Sequence, residues 1–244
     1  MEIRHTDELA HAVNRAVHKG DVESLKQLLA DNPGLAAATI VDGKGNKSSL
    51  VHCTVTWPGH FPNVAESVKA LVSAGADVNT ACEPANKMHQ ETPLHGAASS
   101  DDVDAIDALL DNGANIEARG AIFTGGTAMS DAVVFAQWNA ARRLFERGAE
   151  TEMWQAAALG LLDRVEKYFA AEPAPTPDEI TGSFWNACRG GHRNTAEYLL
   201  DHGANINWLP PWDRVSPLDG AGQSGNTELV EWLKSKGAKS AKQM

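Results

Sequence analysis

The chain has 244 residues, with 21 Lys and Arg against 32 Asp and Glu, a formal net charge of −11 at pH 7. A 43% hydrophobic fraction is enough for a packed core, while the acidic balance argues against a nucleic-acid backbone as partner. No apolar run approaches the roughly 18 residues that span a bilayer, so no membrane is expected. The first eight residues, Met1 to Glu8, carry no apolar signal core, which makes a cytoplasmic location the expectation. Cys53, Cys82 and Cys188 form no CxxC pair and read as reduced, mostly packed thiols.

One phrase recurs along the chain. It runs Ala74-Gly75-Ala76-Asp77-Val78-Asn79, then Asn112-Gly113-Ala114-Asn115-Ile116-Glu117, Arg147-Gly148-Ala149-Glu150, His202-Gly203-Ala204-Asn205-Ile206-Asn207 and Lys236-Gly237-Ala238. A second phrase, Glu91-Thr92-Pro93-Leu94-His95-Gly96-Ala97-Ala98, precedes it. These residues resemble the ankyrin repeat. The spacing agrees: His95 to Gly113, Ser130 to Gly148, Trp185 to Gly203 and Asp219 to Gly237 are each 18 positions. Asn14 to Asn32 and Trp154 to Glu172 keep that spacing in two degenerate copies, and His52 to Gly75 exceeds it by five.

The resemblance implies an all-α solenoid of stacked helix pairs with hairpin-like finger loops, built as a single domain over 1–244. The expected repeats, in chain order, are 5–34, 45–79, 87–118, 122–150, 151–173, 177–207 and 211–239. Each first helix carries an Ala pair that permits close stacking. Each second helix carries an apolar stripe such as Val103, Ile106, Leu109 and Leu110. His52 and His95 are expected to brace their turns by local hydrogen bonds.

The irregular positions carry the functional information. In the second repeat, Trp57-Pro58-Gly59-His60-Phe61-Pro62-Asn63 is inserted between the helices. It is either a stiff recognition loop or a segment packed on its own repeat. In the third, Ser99-Ser100-Asp101-Asp102 replaces the usual turn, with Asp101 or Asp102 expected to cap the next helix. The finger before the fifth repeat is nearly absent. Trp154 and Trp185 stand there in the column of the bracing histidine, as packing or as the floor of a pocket. Family columns place Trp57, Ser99, Ser100, Phe135 and Arg189 on the concave face. They place Met88, His89, Glu91, Phe123, Thr124, Trp212 and Asp213 at finger tips.

The expected function is a recognition scaffold that binds a protein partner through Trp57, His60, Asn63, Met88, His89, Ser99, Ser100, Phe123, Thr124, Phe135, Trp154, Trp185, Arg189, Trp212 and Asp213. The protein is expected to be monomeric. No HExxH, GxSxG or Walker pattern is present, so neither metal nor cofactor is expected. The alternative is a small-molecule site or enzyme at the irregular centre. There His60, His52 or His89 would act as base, oriented by Asp102, Asp131 or Asp213.

Overall fold

The computed structural model describes residues 1–86 and 89–244. The chain forms two compact units, Met1–Ala149 and Glu150–Met244. The first contains β1 (Glu2–Arg4), α1 (Glu8–Lys19), α2 (Val22–Asp31), β2 (Thr39–Val41), β3 (Lys47–Ser49), a 3-10 helix (Leu50–Thr54), α3 (Val64–Ser73), α4 (Pro93–Ser99), α5 (Val103–Asp111), α6 (Ala128–Val134) and α7 (Trp138–Glu146). The second contains α8 (Met153–Ala158), α9 (Leu162–Phe169), α10 (Pro177–Gly190), α11 (Arg193–Asp201), α12 (Pro217–Gln223) and α13 (Thr227–Ser235). Among the described residues these make seven helix pairs. In the second pair the 3-10 helix takes the place of the first α-helix.

The local reasons are visible in the sequence. Pro93, Pro177 and Pro217 open α4, α10 and α12, where a missing N–H breaks no helical bond. Thr92, Thr176 and Ser216 cap the same helices. The second helices bury one stripe each: Leu25 and Leu29 in α2, Ile106 and Leu109 in α5, Leu229 and Leu233 in α13. No pair can bury that stripe alone. The second unit packs its stripes around the fully buried Phe184, Leu199 and Leu229.

The sequence did not announce a small three-stranded sheet in the first unit. β1 runs parallel to β2, pairing Ile3 with Ile40, and β2 runs antiparallel to β3. The first finger is thus a hairpin extended by the chain's opening residues, and both isoleucines are buried. Strands of three residues are too short to show alternation.

Three of the helix pairs also reach the next finger by a ring N–H. The Nδ1 atom of His95 accepts the N–H of Thr92 at 3.2 Å, and its Nε2–H donates to the carbonyl of Gly126 at 3.3 Å. His52 repeats this between Ser49 (3.2 Å) and the Glu91 carbonyl (3.1 Å). In the second unit, Trp185 sits in the same column and donates Nε1–H to the Val215 carbonyl at 2.7 Å. Replacing the wholly buried His95 by Ala leaves the Thr92 N–H and the Gly126 carbonyl unpaired and opens a void. The expected loss is about 3 kcal/mol of stability, read from the urea midpoint; a loss under about 1 kcal/mol would contradict the brace.

Candidate recognition surface

The inserted segment 57–63 is tied to two neighbours. Phe61 stacks on His18 of the first helix pair, ring centroids 4.1 Å apart and 12° between planes. The Asn63 amide donates to the Gly20 carbonyl at 2.9 Å. A Cβ on Gly20 would come within 2.5 Å of the Pro62 oxygen, and its φ is +65°, so only glycine admits the loop there. The middle of the loop is held by the third pair. Asp102, 1% exposed, accepts the N–H of His60 at 2.5 Å and that of Ala105 at 3.0 Å, capping α5. The His60 Nε2–H donates to the Ser100 carbonyl at 3.0 Å. These bonds hold His60 and Asn63 at φ of 57° and 53°, left-handed values that side-chain-bearing residues rarely adopt. Trp57 is left 88% exposed.

A second constellation lies further along the same unit. Glu91 precedes the cap of α4, and Asp131 stands in the first turn of α6 with 1% exposure. Their carboxyl groups are in hydrogen-bonding contact, and the Ile122 backbone acts on both to lower their pKa. Oδ2 of Asp131 is buried and has no donor. Burial, then the charge of Glu91 and the hydrogen bond to it, push the Asp131 acid up to about 8. Burial also raises Glu91, opposed by its bond with Asp131 and by the charge of His89. The pair therefore shares a proton at neutral pH, and that proton is the donor that Oδ2 of Asp131 otherwise lacks. The backbone beneath is fixed: the Glu91 carbonyl accepts Cys82 N–H at 2.8 Å as well as the ring of His52. Gly120 abuts the Gln90 oxygen, which would lie 2.3 Å from a Cβ. Next to Ile122, Phe123 (70% exposed) meets Phe135 (42% exposed) at 5.7 Å between centroids.

In the second unit the aromatic residues form a stepped series. Trp185 meets Trp208 edge-on at 6.2 Å, and Trp208 meets Trp212 at 5.7 Å. The Arg189 guanidinium lies 4.6 Å from the Trp185 ring centre. Burial lowers the pKa of Arg189, and the charge of Asp213 opposes that shift. Trp212 ends the series 73% exposed.

The remaining candidates fall into place as supports. His52 is not a base, because both ring nitrogens are engaged and burial lowers its pKa. Asp102 does not orient His60 for chemistry: the nearest ring-to-carboxylate approach is 4.0 Å, and the carboxylate holds backbone N–H groups instead. Trp185 is 5% exposed with its N–H engaged, so it is packing rather than an open pocket floor. Trp154 is half-buried and donates to the Glu152 carboxylate at 2.7 Å. Asn63 and the carbonyl of Ser100 anchor the insertion, Ser99 donates to the Gly96 carbonyl, and Thr124 accepts the Gly126 N–H. Met88 lies outside the described residues. The partnership of Glu91 with Asp131 was not expected. The sequence named Glu91 only as a finger-tip position and Asp131 only as an orienter of histidine.

Models of ankyrin repeats in three copies match residues 9–120 and 60–153, and an ankyrin-repeat model matches 185–209. The chain belongs to the ankyrin-repeat family. Its fold is similar to the crystal structure of the human ASB11 ankyrin repeat domain, with a TM-score of 0.51 and 20% identity over 91% of this chain and 96% of that one. Among curated proteins none matches its sequence. In ankyrin-repeat terms, the Thr92–His95 and Ser49–His52 braces are the turn-fixing pairs of the repeat.

The shared proton has a thermodynamic signature. An unfolded Asp ionises near about 3.9 and an unfolded His near about 6.5. From there upward the folded chain, with Asp131 raised, holds more protons than the unfolded one, so stability falls as pH rises. His52 and His95, lowered by burial, have completed their opposing, stabilising effect by about pH 6.5. From about pH 6.5 to 8 the protein is expected to lose about 1–2 kcal/mol. Asp131→Asn, which keeps an N–H donor for Glu91, is expected to remove that slope. Urea midpoints across the interval check this; parallel slopes for the two proteins would disprove the shared proton.

Proposed function

We propose that this chain is a recognition scaffold whose partner is a protein, engaged through the inner-helix and finger face of the first unit by Trp57, Phe123 and Phe135. The observation that carries the reading is Trp57, 88% exposed on a loop fastened to the helix pairs on either side of it. An indole held in water gains nothing from folding. Held on an ordered loop, it enters a partner's pocket without a further ordering cost. Ankyrin repeats are generally protein-interaction scaffolds, which supports the same reading. The net charge of −11 favours a protein over a nucleic acid. Buried free thiols at Cys53 and Cys188 fit a monomer working in a reducing, cytoplasmic setting. Among the described residues no helix is long and apolar enough to cross a membrane.

Because these side chains are exposed, Trp57→Ala, Phe123→Ala and Phe135→Ala are each expected to change stability by less than about 0.5 kcal/mol. Together they are expected to remove the partner. Immobilised wild-type and triple-variant protein, incubated with lysate of the host and compared by mass spectrometry, make the test. Equal recovery of every retained protein by both would refute the placement.

A further inference from the structure

The turn between α4 and α5, residues 99–102, grips the repeats on both sides of it. Backwards it holds the insertion. The Asp102 carboxylate and the Ser100 carbonyl take the backbone and ring N–H groups of His60. A Cβ on Gly59 would stand 3.1 Å from that carboxylate and 3.2 Å from the Ser100 Cβ. Forwards the turn holds the start of α7. The Asp101 carboxylate accepts the Ala140 N–H at 2.7 Å and the Asn139 side-chain N–H at 2.8 Å, and the Ser99 carbonyl accepts the Gln137 amide at 2.9 Å. The cap of α7 is thus lent by the preceding repeat, since its own cap residue, Gln137, makes no side-chain cap bond. Asp101 lends it from a φ of 56°, where glycine would sit without strain but would bring no carboxylate. A cap made within one repeat stabilises only its own helix. A cap lent by a neighbour also fixes where that helix starts, because the bond from N–H to carboxylate is short and directional.

The two gripped segments carry the exposed aromatics. Trp57 lies three residues before His60, and Phe135 lies two residues before Gln137, in contact with Phe123. We infer that the turn 99–102 sets the separation of Trp57 from the Phe123–Phe135 pair, so that one partner meets both at once, and that Asp101 is the positioning residue. This role rests on the protein-recognition reading and adds to it how two contacts act as one. Once the first anchor is seated, the second contact is intramolecular, and it gains affinity only where the span between the anchors matches the partner. Apolar helix faces alone leave slide and rotation between repeats loosely determined. The bonds of Asp101, Asp102, Ser99 and Ser100 remove that freedom across three successive helix pairs.

The test reads the separation directly, on the full chain. Cys82→Ser removes the half-exposed native thiol, while Cys53 and Cys188 are buried. Trp57→Cys and Phe135→Cys then take nitroxide labels, and pulsed electron resonance gives the distribution of distances between them. Asp101→Gly, which relieves the backbone and deletes the carboxylate, is expected to broaden that distribution at least about two-fold. Asp101→Asn, which keeps an acceptor oxygen and tolerates a left-handed φ, is expected to leave it narrow. Thr176→Ala removes a cap made within its own repeat, to the Glu179 N–H. It is expected to lower the urea midpoint, as Asp101→Gly does, without changing the width, which separates lost stability from lost position. An unchanged width in Asp101→Gly, or equal broadening in Asp101→Asn or Thr176→Ala, would overturn the positioning role. Loss of lysate proteins in the aromatic triple variant is a separate readout. If that loss occurs and the width in Asp101→Gly is unchanged, the recognition reading stands and the positioning role falls. If the width broadens and no protein is lost, the turn still sets the separation and the recognition reading falls.

Discussion

A ring N–H that reaches from one helix pair to a carbonyl of the next finger is the interaction on which the rest of the structure depends. His52 makes it to Glu91, His95 to Gly126 and Trp185 to Val215. Apolar stacking joins helix pairs but is indifferent to a small slide or rotation. A buried hydrogen bond is not, because its loss leaves two unpaired groups. Burial keeps the histidines neutral, so one nitrogen accepts and the other donates. Trp185 does the donating half with an indole, in the column where histidine is usual.

The functional features hang on these fixed points. Because His52 and Cys82 hold the Glu91 carbonyl, the Glu91 side chain is aimed at Asp131 rather than left to wander on a finger. Gly120 lets the finger that carries Ile122 and Phe123 close against Gln90. Asp102 does two jobs with one carboxylate, capping α5 and pinning His60, so the insertion is ordered by the repeat that follows it. The exposed aromatics are therefore carried by parts of the chain that do not move independently of the core. That is the condition for recognition at low entropic cost.

How much was legible in the sequence differs from residue to residue, for physical reasons. His95 was readable as a brace because Thr-Pro-Leu-His encodes a cap and its bond within four residues. A cap at Asp101 or Asp102 was readable for the same reason, and the structure gives it to Asp102, which accepts an N–H three residues away. The sheet of β1 with β2 was not, because its partners are some 37 positions apart and too short to show a period. Trp185 could be placed in the brace column, yet whether its indole faced a pocket or a carbonyl depended on Val215, thirty residues on.

The sequence by itself determined the repeat period, the helix pairs, their caps and the irregular positions, because all of these rest on contacts within about four residues or on a repeated pattern. Tertiary structure alone decided that Trp57 stands out while Phe61 and Asn63 are tied down. It also decided that Glu91 meets Asp131 across forty residues and that Asp131 loses its water. Burial and the company of a second carboxyl set the charge of an acid, and neither is a property of the residue or its neighbours in the chain.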